Sequence, residues 1–354
     1  MADLGFKVLN EIPQGLLDVD ASELLDLLGG PTLIHLEGKR KDALFVSIML
    51  HGNEYTGLLV IQRLLKKYLD AELPRRLSIF IGNVAAAKEQ VRALPGQPDY
   101  NRIWGFGDTP EHQMTHQVME AMRERDVFAA IDVHNNTGKN PHFALICRHE
   151  KNSYYLATLF GRTVVYTIKP DTTSTYAMSV LCPSVTLECG LPGDQYGVEH
   201  AVEFIQACLN LSSFPEHSLP EHDMDLYHMV AIIKIPSCHS FSVHGDDTDL
   251  QFDEDLALMN FSEVPAGTSI CRIRQGSEAY LEAWDEHGKD QSSQFFARDG
   301  ENYRLKMMAM PAMLTDDINV IRMDCLCYLM ERLDWKALQM TEETESAELP
   351  VQTV

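Results

Sequence analysis

The 354-residue sequence has few basic residues: 29 lysines and arginines stand against 52 aspartates and glutamates, which gives a formal net charge of −23. Such a charge opposes broad electrostatic attraction to phosphate backbones and to anionic lipid surfaces. Much of the acidic excess lies in the late segments HGDDTDLQFDEDL and TEETESAEL, which are typical of a solvated surface. The composition therefore argues against nucleic acid and membranes as partners.

The sequence also lacks any run of 18 apolar residues, and its first 20 residues combine early acids with no continuous apolar segment of a signal peptide. Its eight cysteines are scattered, without a C-x-x-C pair. Thiols in such a pattern are typical of buried side chains in a reducing compartment. We therefore expect a cytoplasmic protein without a membrane span.

Hydrophobic residues make up 45% of the chain, which is enough for a packed core. The chain is longer than a single domain usually is, so two domains are expected. Up to about residue 204, short β-rich runs alternate with helix-period segments, which predicts an α/β fold with a mixed, largely parallel sheet flanked by helices. The segment LSSFPEHSLPEHD is typical of a linker, and short β-type stretches follow it. The predicted parts are an α/β domain at 1–212, a smaller β-rich C-terminal domain at 222–340, and a flexible tail at 341–354.

Individual elements follow from the hydrophobic period of each segment. The predicted strands before the linker are TLIHLEG, ALFVSIML, LSIFIGN, VFAAIDVH, HFALIC, TVVYTI and SVTLECG. The predicted helices are EYTGLLVIQRLLKKYLD, EHQMTHQVMEAMRERD, SYYLATLFG and YGVEHAVEFIQACLN. The β-type stretches after the linker are HMVAIIKIP, TSICRIR and NVIRMDCLCYL, in which Cys325 and Cys327 are expected to pack in the core.

Two histidines and a glutamate lie at the ends of predicted strands. His51 follows ALFVSIML directly, and Glu54 comes three residues later, where a helix should begin. His134 ends VFAAIDVH, and Asp132 is placed to orient an imidazole. Ligands of open α/β sheets bind at the carboxyl ends of strands, so these side chains are expected to converge. Because two histidines and a glutamate are a typical donor set of hydrolytic zinc, the sequence predicts one zinc site.

Further polar residues complete the predicted site. Glu188 ends the apolar strand SVTLECG, where a carboxylate near a cation is a candidate general base and acid. Asn101 and Arg102 lie in a loop bounded by proline and glycine. The amide and the guanidinium fork together suit a carboxylate on a substrate.

The motifs HGNEYTG, DYNRIWG, DVHNNTG and TLECG, in this order, resemble the succinylglutamate desuccinylase/aspartoacylase family of zinc hydrolases, which is related to the carboxypeptidase A-like metallopeptidases. Four motifs in order at strand ends are far more specific than an isolated H-x-x-E. The resemblance implies that one Zn²⁺ per chain is bound by three side chains, namely those of His51, Glu54 and His134.

The same resemblance assigns roles to the other residues. Glu188 would deprotonate the activated water and then protonate the leaving amine, and Asn101 and Arg102 would grip a substrate carboxylate. Arg92, which the segment ALPGQPDY separates from the Asn-Arg pair, is a candidate for the family's arginine that polarises the scissile carbonyl.

The expected function is zinc-dependent hydrolysis of the amide bond of an N-acyl amino acid or a related small amide. Two alternatives remain: a zinc carboxypeptidase acting on peptides, and a catalytically silent binding protein of the same fold. Glu188 argues against the silent protein, because a pure binder needs no base. The acyl group, the amine, the physiological metal and the formation of a homo-oligomer stay open.

Overall fold

The computed structural model describes residues 4–217, 219–220, 223–243, 245 and 247–334, so the predicted tail at 341–354 lies outside the described residues. The strands are β1 (Lys7–Leu9), β2 (Thr32–Leu36), β3 (Gly38–Ile48), β4 (Leu73–Ile81), β5 (Ala129–His134), β6 (Phe143–Ile146), β7 (Thr163–Tyr166), β8 (Ser184–Glu188), β9 (Asp225–Lys234), β10 (Phe241–Ser242), β11 (Leu250–Gln251), β12 (Ser269–Ile273), β13 (Glu282–Trp284), β14 (Phe296–Asp299), β15 (Asn302–Leu305), β16 (Met310–Ala312) and β17 (Cys327–Arg332).

The helices are α1 (Leu24–Leu28), α2 (Thr56–Lys66), α3 (Val84–Lys88), α4 (Pro110–Glu124), α5 (Lys151–Phe160), α6 (Ser174–Met178), α7 (Gln195–Asn210), α8 (Ser292–Phe295) and α9 (Ile318–Met323). Two 3₁₀ helices span Ala21–Glu23 and Leu256–Met259. All seven strands and all four helices predicted before the linker are present, with ends displaced by a few residues.

Twelve strands form the main sheet, in the order β1-β2-β4-β3-β5-β8-β6-β7-β9-β17-β16, with β13 paired to β9. Its centre, from β4 through β3 and β5 to β8, is entirely parallel. Antiparallel strands β2 and β6 border this centre. The predicted fold class, a mixed and largely parallel sheet, is therefore confirmed.

Helices cover both faces of the sheet, so its central strands are apolar on both sides. Along β3, Leu44 and Val46 belong to the apolar cluster beneath α2 and α7, whereas Phe45 between them belongs to the opposite cluster with Trp104 and α4. Alternation of side chains along a strand explains this division. The continuous apolar run of β3 is the sequence signature of a strand buried on two faces.

A second sheet of five strands, β10-β11-β12-β15-β14, encloses its own apolar cluster. This is the β-rich C-terminal part that the sequence predicts. Strands β9, β13, β16 and β17 follow the predicted linker as well, yet they pair into the main sheet, where β9 lies parallel to β7. The domain limits at residues 212 and 222 stay a prediction.

Two details differ from the sequence-based expectations. The segment NVIRMDCLCYL begins as helix α9, because the carboxylate of Asp317 accepts the backbone N–H groups of Asn319 and Val320 and caps the first turn. Seven of the eight cysteines are buried, but Cys238 is exposed. All eight are described and none forms a disulfide. Across the described part of the chain, no helix has the length and apolarity needed to cross a membrane.

Candidate active site

The site lies where three neighbouring parallel strands end. Ser47 of β3 pairs with Asp132 of β5, and His134 of β5 pairs with Glu188 of β8. The carboxyl ends of these strands therefore lie side by side at one edge of the sheet centre. This register brings together motifs that are more than 130 residues apart in the sequence.

The turn after β3 carries His51 to this edge. Met49 adopts a left-handed backbone conformation with φ of 58°, which turns the chain directly after Ile48. A Cβ atom on Gly52 would lie 2.2 Å from the carbonyl carbon of Ala86 in α3. Only glycine permits this close approach, so the HGNE sequence is required locally by packing as well as by chemistry.

His51, Glu54 and His134 form a buried cluster. Nδ1 of His51 lies 2.7 Å from Oε1 of Glu54, and Nδ1 of His134 lies 2.8 Å from Oε2 of the same carboxylate. One ligand atom from each residue lies within 4.8 Å of the others, and no other such donor group occurs among the described residues. Two imidazole nitrogens and a carboxylate fit a divalent ion such as zinc.

A carboxylate orients each histidine from behind. Nε2 of His51 lies 3.0 Å from Oδ1 of Asp99, and Nε2 of His134 lies 2.9 Å from Oδ2 of Asp132. Ligand histidines usually present their second nitrogen to such an acceptor, which fixes the ring and leaves the other nitrogen free for the metal. In both histidines Nδ1 therefore faces the Glu54 carboxylate, where a metal ion could bind.

Neighbouring charges oppose the effect of burial on the pKa values of this cluster. Burial alone would raise the pKa of Glu54, but His51 and His134 hold that pKa well below its usual value. Burial would likewise lower the pKa of His134, but Asp132 and Glu54 hold it well above the usual value. The carboxylate is thus kept ionised, which is the form that binds a metal.

Glu188 has the opposite electrostatic environment. Burial raises the pKa of its carboxyl group to about 8, and the charges of Glu54 and Asp132 add to this against the opposing charge of His134. Its Oε2 accepts a hydrogen bond of 3.3 Å from Nδ2 of Asn136. A carboxyl group with a raised pKa suits proton transfer near neutral pH.

The loop after β5 ties Glu188 to the C-terminal part of the chain. Asn140 donates through Nδ2 to Oδ1 of Asn136 at 3.0 Å, and its Oδ1 accepts the N–H of Met313 at 2.9 Å. A Cβ atom on Gly138 would lie 2.1 Å from the carbonyl oxygen of Leu314, so the two segments are in close backbone contact. The position of this loop therefore depends on the C-terminal segment.

Arg92 lies beside the cluster, in an ion-pair network. Its Nε and Nη2 donate to Oδ2 of Asp99 at 3.1 and 2.9 Å. Nη2 also lies 3.5 Å from Oδ2 of Asp324, and Nη1 lies 3.7 Å from Oε1 of Glu54. The guanidinium is thus fixed next to the candidate metal ligands.

Arg102 and Asn101 line the same pocket but differ in their contacts. Arg102 donates from Nη1 to the carbonyl oxygen of Asn101 at 3.0 Å, and its Nη2 lies 3.5 Å from Oδ1 of Asp324. The side chain of Asn101 uses both ends within the protein: Oδ1 accepts the N–H of Ser174 at 2.9 Å, and Nδ2 lies 3.2 Å from Nε2 of His134. Arg102 therefore keeps more N–H groups available for a ligand than Asn101 does.

One pocket brings together every residue predicted for the site, namely His51, Glu54, Arg92, Asn101, Arg102, His134 and Glu188. The sequence reasoning missed Asp99 and Asn136, although both stand beside recognised motifs. It also missed Asp324 and Tyr328, which reach the pocket from the C-terminal part without any local motif. Cys325, expected in the core, is buried but lines this pocket.

These features define a class of protein: an α/β fold in which a buried His-Glu-His donor set and a buried glutamate of raised pKa share one pocket at the strand ends. Residues 41–214 match the family model described as the succinylglutamate desuccinylase/aspartoacylase catalytic domain. The chain belongs to the succinylglutamate desuccinylase/aspartoacylase family, which confirms the resemblance and supports a hydrolytic, deacylase-type activity.

Solved structures share the fold at low sequence identity. Succinylglutamate desuccinylase from Chromobacterium violaceum has a TM-score of 0.54 and 17% identity, over 83% of this chain and 85% of that one. Murine aminoacylase 3 has a TM-score of 0.55 and 16% identity, over 83% and 96%. A succinylglutamate desuccinylase/aspartoacylase from Rhodobacter sphaeroides has a TM-score of 0.56 and 12% identity, over 84% and 88%. Among curated proteins, none matches the chain.

Proposed function

We propose that this protein is a zinc-dependent hydrolase that cleaves the amide bond of an N-acyl amino acid. The observation that carries the proposal is the convergence of His51, Glu54 and His134 beside the buried Glu188 in one pocket. Membership of the desuccinylase/aspartoacylase family supports hydrolysis of this type. The identity of the metal and the class of substrate go beyond this support and are our proposal.

His51, Glu54 and His134 would hold the ion, with Asp99 and Asp132 fixing the two imidazoles. A zinc ion held by such ligands supplies Lewis acidity, which polarises a carbonyl group and makes water more acidic. The orienting carboxylates raise the basicity of the histidines and so support binding of a cation.

Glu188 acts as the proton carrier in this proposal. Its carboxylate takes a proton from the attacking water, the new C–O bond forms, and the same proton passes to the amide nitrogen as the C–N bond breaks. The products are a carboxylic acid and a free amine. Burial raises the pKa of this carboxyl group, which makes its carboxylate a stronger proton acceptor than an exposed glutamate would be.

Two arginines act on the substrate. Arg92, fixed by Asp99 close to Glu54, is placed to stabilise negative charge that develops on the carbonyl oxygen. Arg102 would bind the carboxylate of the amino acid through its planar fork. Asn101 would contribute to the same subsite mainly by fixing the loop, since both ends of its amide contact the protein.

A hydrolysis screen on zinc-loaded protein tests this function. The panel contains N-acetyl, N-succinyl and N-formyl amino acids together with N-terminally blocked dipeptides and tripeptides. We expect turnover of acyl amino acids and much slower cleavage of the peptides. Preferential release of the C-terminal residue from peptides would instead indicate a carboxypeptidase, and binding without turnover across the panel would indicate a silent binding protein.

A further inference from the structure

The pocket has an apolar side that the proposed chemistry does not use. It consists of Leu145, Cys147, Met229, Met313 and Cys325, which we call the sulfur-lined wall. Leu145 lies on β6, Met229 on β9 and Cys325 just before β17, so neighbouring strands and their ends build the wall. Most of its members belong to, or pack against, a single hydrophobic cluster. The wall is therefore part of a packed core and is not a loose surface.

The cations of the pocket already have acidic partners. Among the described residues, the lysines and arginines that line it are Arg92, Arg102 and Lys169. Arg92 donates to Asp99 at 2.9 Å, and Lys169 donates to Asp171 at 2.5 Å. The charge of each of these two cations is therefore balanced by an acid before any substrate binds.

Asp324 further reduces the positive charge that the pocket can offer to a substrate carboxylate. Its two carboxylate oxygens lie 3.5 Å from Nη2 of Arg92 and 3.5 Å from Nη2 of Arg102, so this acid adds negative charge between the two guanidinium groups. Arg102 has no closer carboxylate than this among the described residues, and its fork can still accept one anionic group. The pocket therefore offers one carboxylate site and an apolar wall.

We propose, building on the deacylase function above, that the substrates are N-acyl amino acids with a single carboxylate and an apolar acyl or side chain, and that Asp324 and the sulfur-lined wall disfavour compounds with additional carboxylates. Succinylglutamate, after which several structural relatives are named, carries several carboxylates. An extra carboxylate here would lose its hydration against apolar side chains without gaining a cation. The named relatives and this chain would then share chemistry but differ in substrate.

Four matched substrates test the proposal: butyryl or succinyl groups on leucine or aspartate. Butyryl and succinyl have the same number of carbons. The side chains of leucine and aspartate have the same number of non-hydrogen atoms and a similar branched shape, so charge is the main variable. On zinc-loaded protein we expect kcat/KM for N-butyryl-leucine to exceed that of each compound with an extra carboxylate by about tenfold or more. Equal or faster turnover of the succinyl or aspartyl compounds overturns the proposal.

Two kinds of variant assign the selectivity to residues. Asp324→Asn leaves the volume nearly unchanged and should lower the preference for the single carboxylate by about tenfold, whereas exposed Asp316→Asn on the same segment should leave it unaltered. Met229→Lys places a cation in the wall and should lower the preference, while Met229→Leu should keep it. An unchanged preference in Asp324→Asn removes that residue from the assignment, even if Met229→Lys fails to fold.

A binding measurement separates this inference from the proposed function. Calorimetry with zinc-loaded Glu188→Gln protein gives the affinity of the four compounds without hydrolysis. Tighter binding of N-butyryl-leucine together with no turnover by the wild type would retain the selectivity and reject the deacylase. Turnover with the opposite order of affinity would retain the deacylase and reject the selectivity, and absence of binding by all four compounds rejects both.

Discussion

The two sides of the pocket are built in different ways. At the strand-end side, His51 and His134 each contact Glu54 at 2.7–2.8 Å, and short motifs at two strand ends supply these residues. The sulfur-lined wall draws on β6, β9 and the residues that follow β6, β16 and α9, and no motif marks its members. The comparison teaches that the candidate metal site is encoded by local motifs, whereas the apolar wall depends on long-range packing.

The largest effect is expected at the strand-end side from His134→Ala. Loss of one of three ligands should reduce bound zinc from about one equivalent to a small fraction and lower turnover by roughly 10³-fold. Metal analysis of the purified protein measures the first effect directly. The control is His116→Ala on the exposed face of α4, which should bind a full equivalent. A full equivalent in His134→Ala would refute the ligand assignment.

Glu188→Gln should have the next largest effect. The amide keeps the shape of the side chain but cannot accept the proton, so kcat should fall by roughly 10²-fold or more at unchanged zinc content. Steady-state kinetics and metal analysis on the same preparation test this. The matched substitution Glu120→Gln, on the exposed surface of α4, should be neutral. Near-normal turnover of Glu188→Gln would exclude proton transfer by this residue.

Arg102→Lys sharpens the comparison, because Arg102 joins the strand-end side to Asp324 of the C-terminal part. A lysine keeps the charge but loses the planar fork, so about 1.5–3 kcal/mol of preference for a free carboxylate over its amide should disappear. The ratio of kcat/KM for an acyl amino acid and its amide measures this preference. Arg123→Lys on α4 is the exposed control. An unchanged ratio would show that Arg102 only pairs with Asp324.

The smallest effect is expected where the two sides meet. Asn140→Ala removes the hydrogen bonds to Asn136 and Met313, which should lower the free energy of unfolding by about 1–2 kcal/mol and raise KM severalfold, with a smaller change in kcat. Denaturant unfolding and kinetics report both quantities, with Asn210→Ala at the exposed end of α7 as the control. A fall in kcat as large as that of Glu188→Gln would place Asn140 in proton transfer instead.

The sequence predicted the strand-end side well for a physical reason. Histidine or glutamate directly after an apolar strand is costly to bury without a partner, so such residues at several strand ends indicate a shared site. The register of β3, β5 and β8 then brings His51, His134 and Glu188 together as expected. That these side chains bind zinc and transfer protons stays a prediction until metal analysis and kinetics test it.

Sequence patterns could not predict the side of the pocket that the C-terminal part contributes. Asp324 and Tyr328 look like ordinary residues of an acidic turn and an apolar strand, and only the pairing of β17 with β9 brings them to the pocket. Cys325 was predicted to lie in the core because its neighbours in the sequence are apolar, and only the fold shows that it also lines the pocket. The helix α9 was missed because its residues have a β-like composition and its cap, Asp317, is a single residue that precedes the predicted stretch.

The pairing of β9 with β7 has a consequence for any shortened form of the chain. The matched catalytic domain ends at residue 214, whereas β9 begins at Asp225 and covers the free side of β7 along Val164 and Val165. A chain ending at residue 214 would leave β7 as an exposed edge strand with unpaired backbone groups, which is a template for aggregation. The C-terminal segment thus protects the sheet from self-association, independently of any part it has in substrate choice.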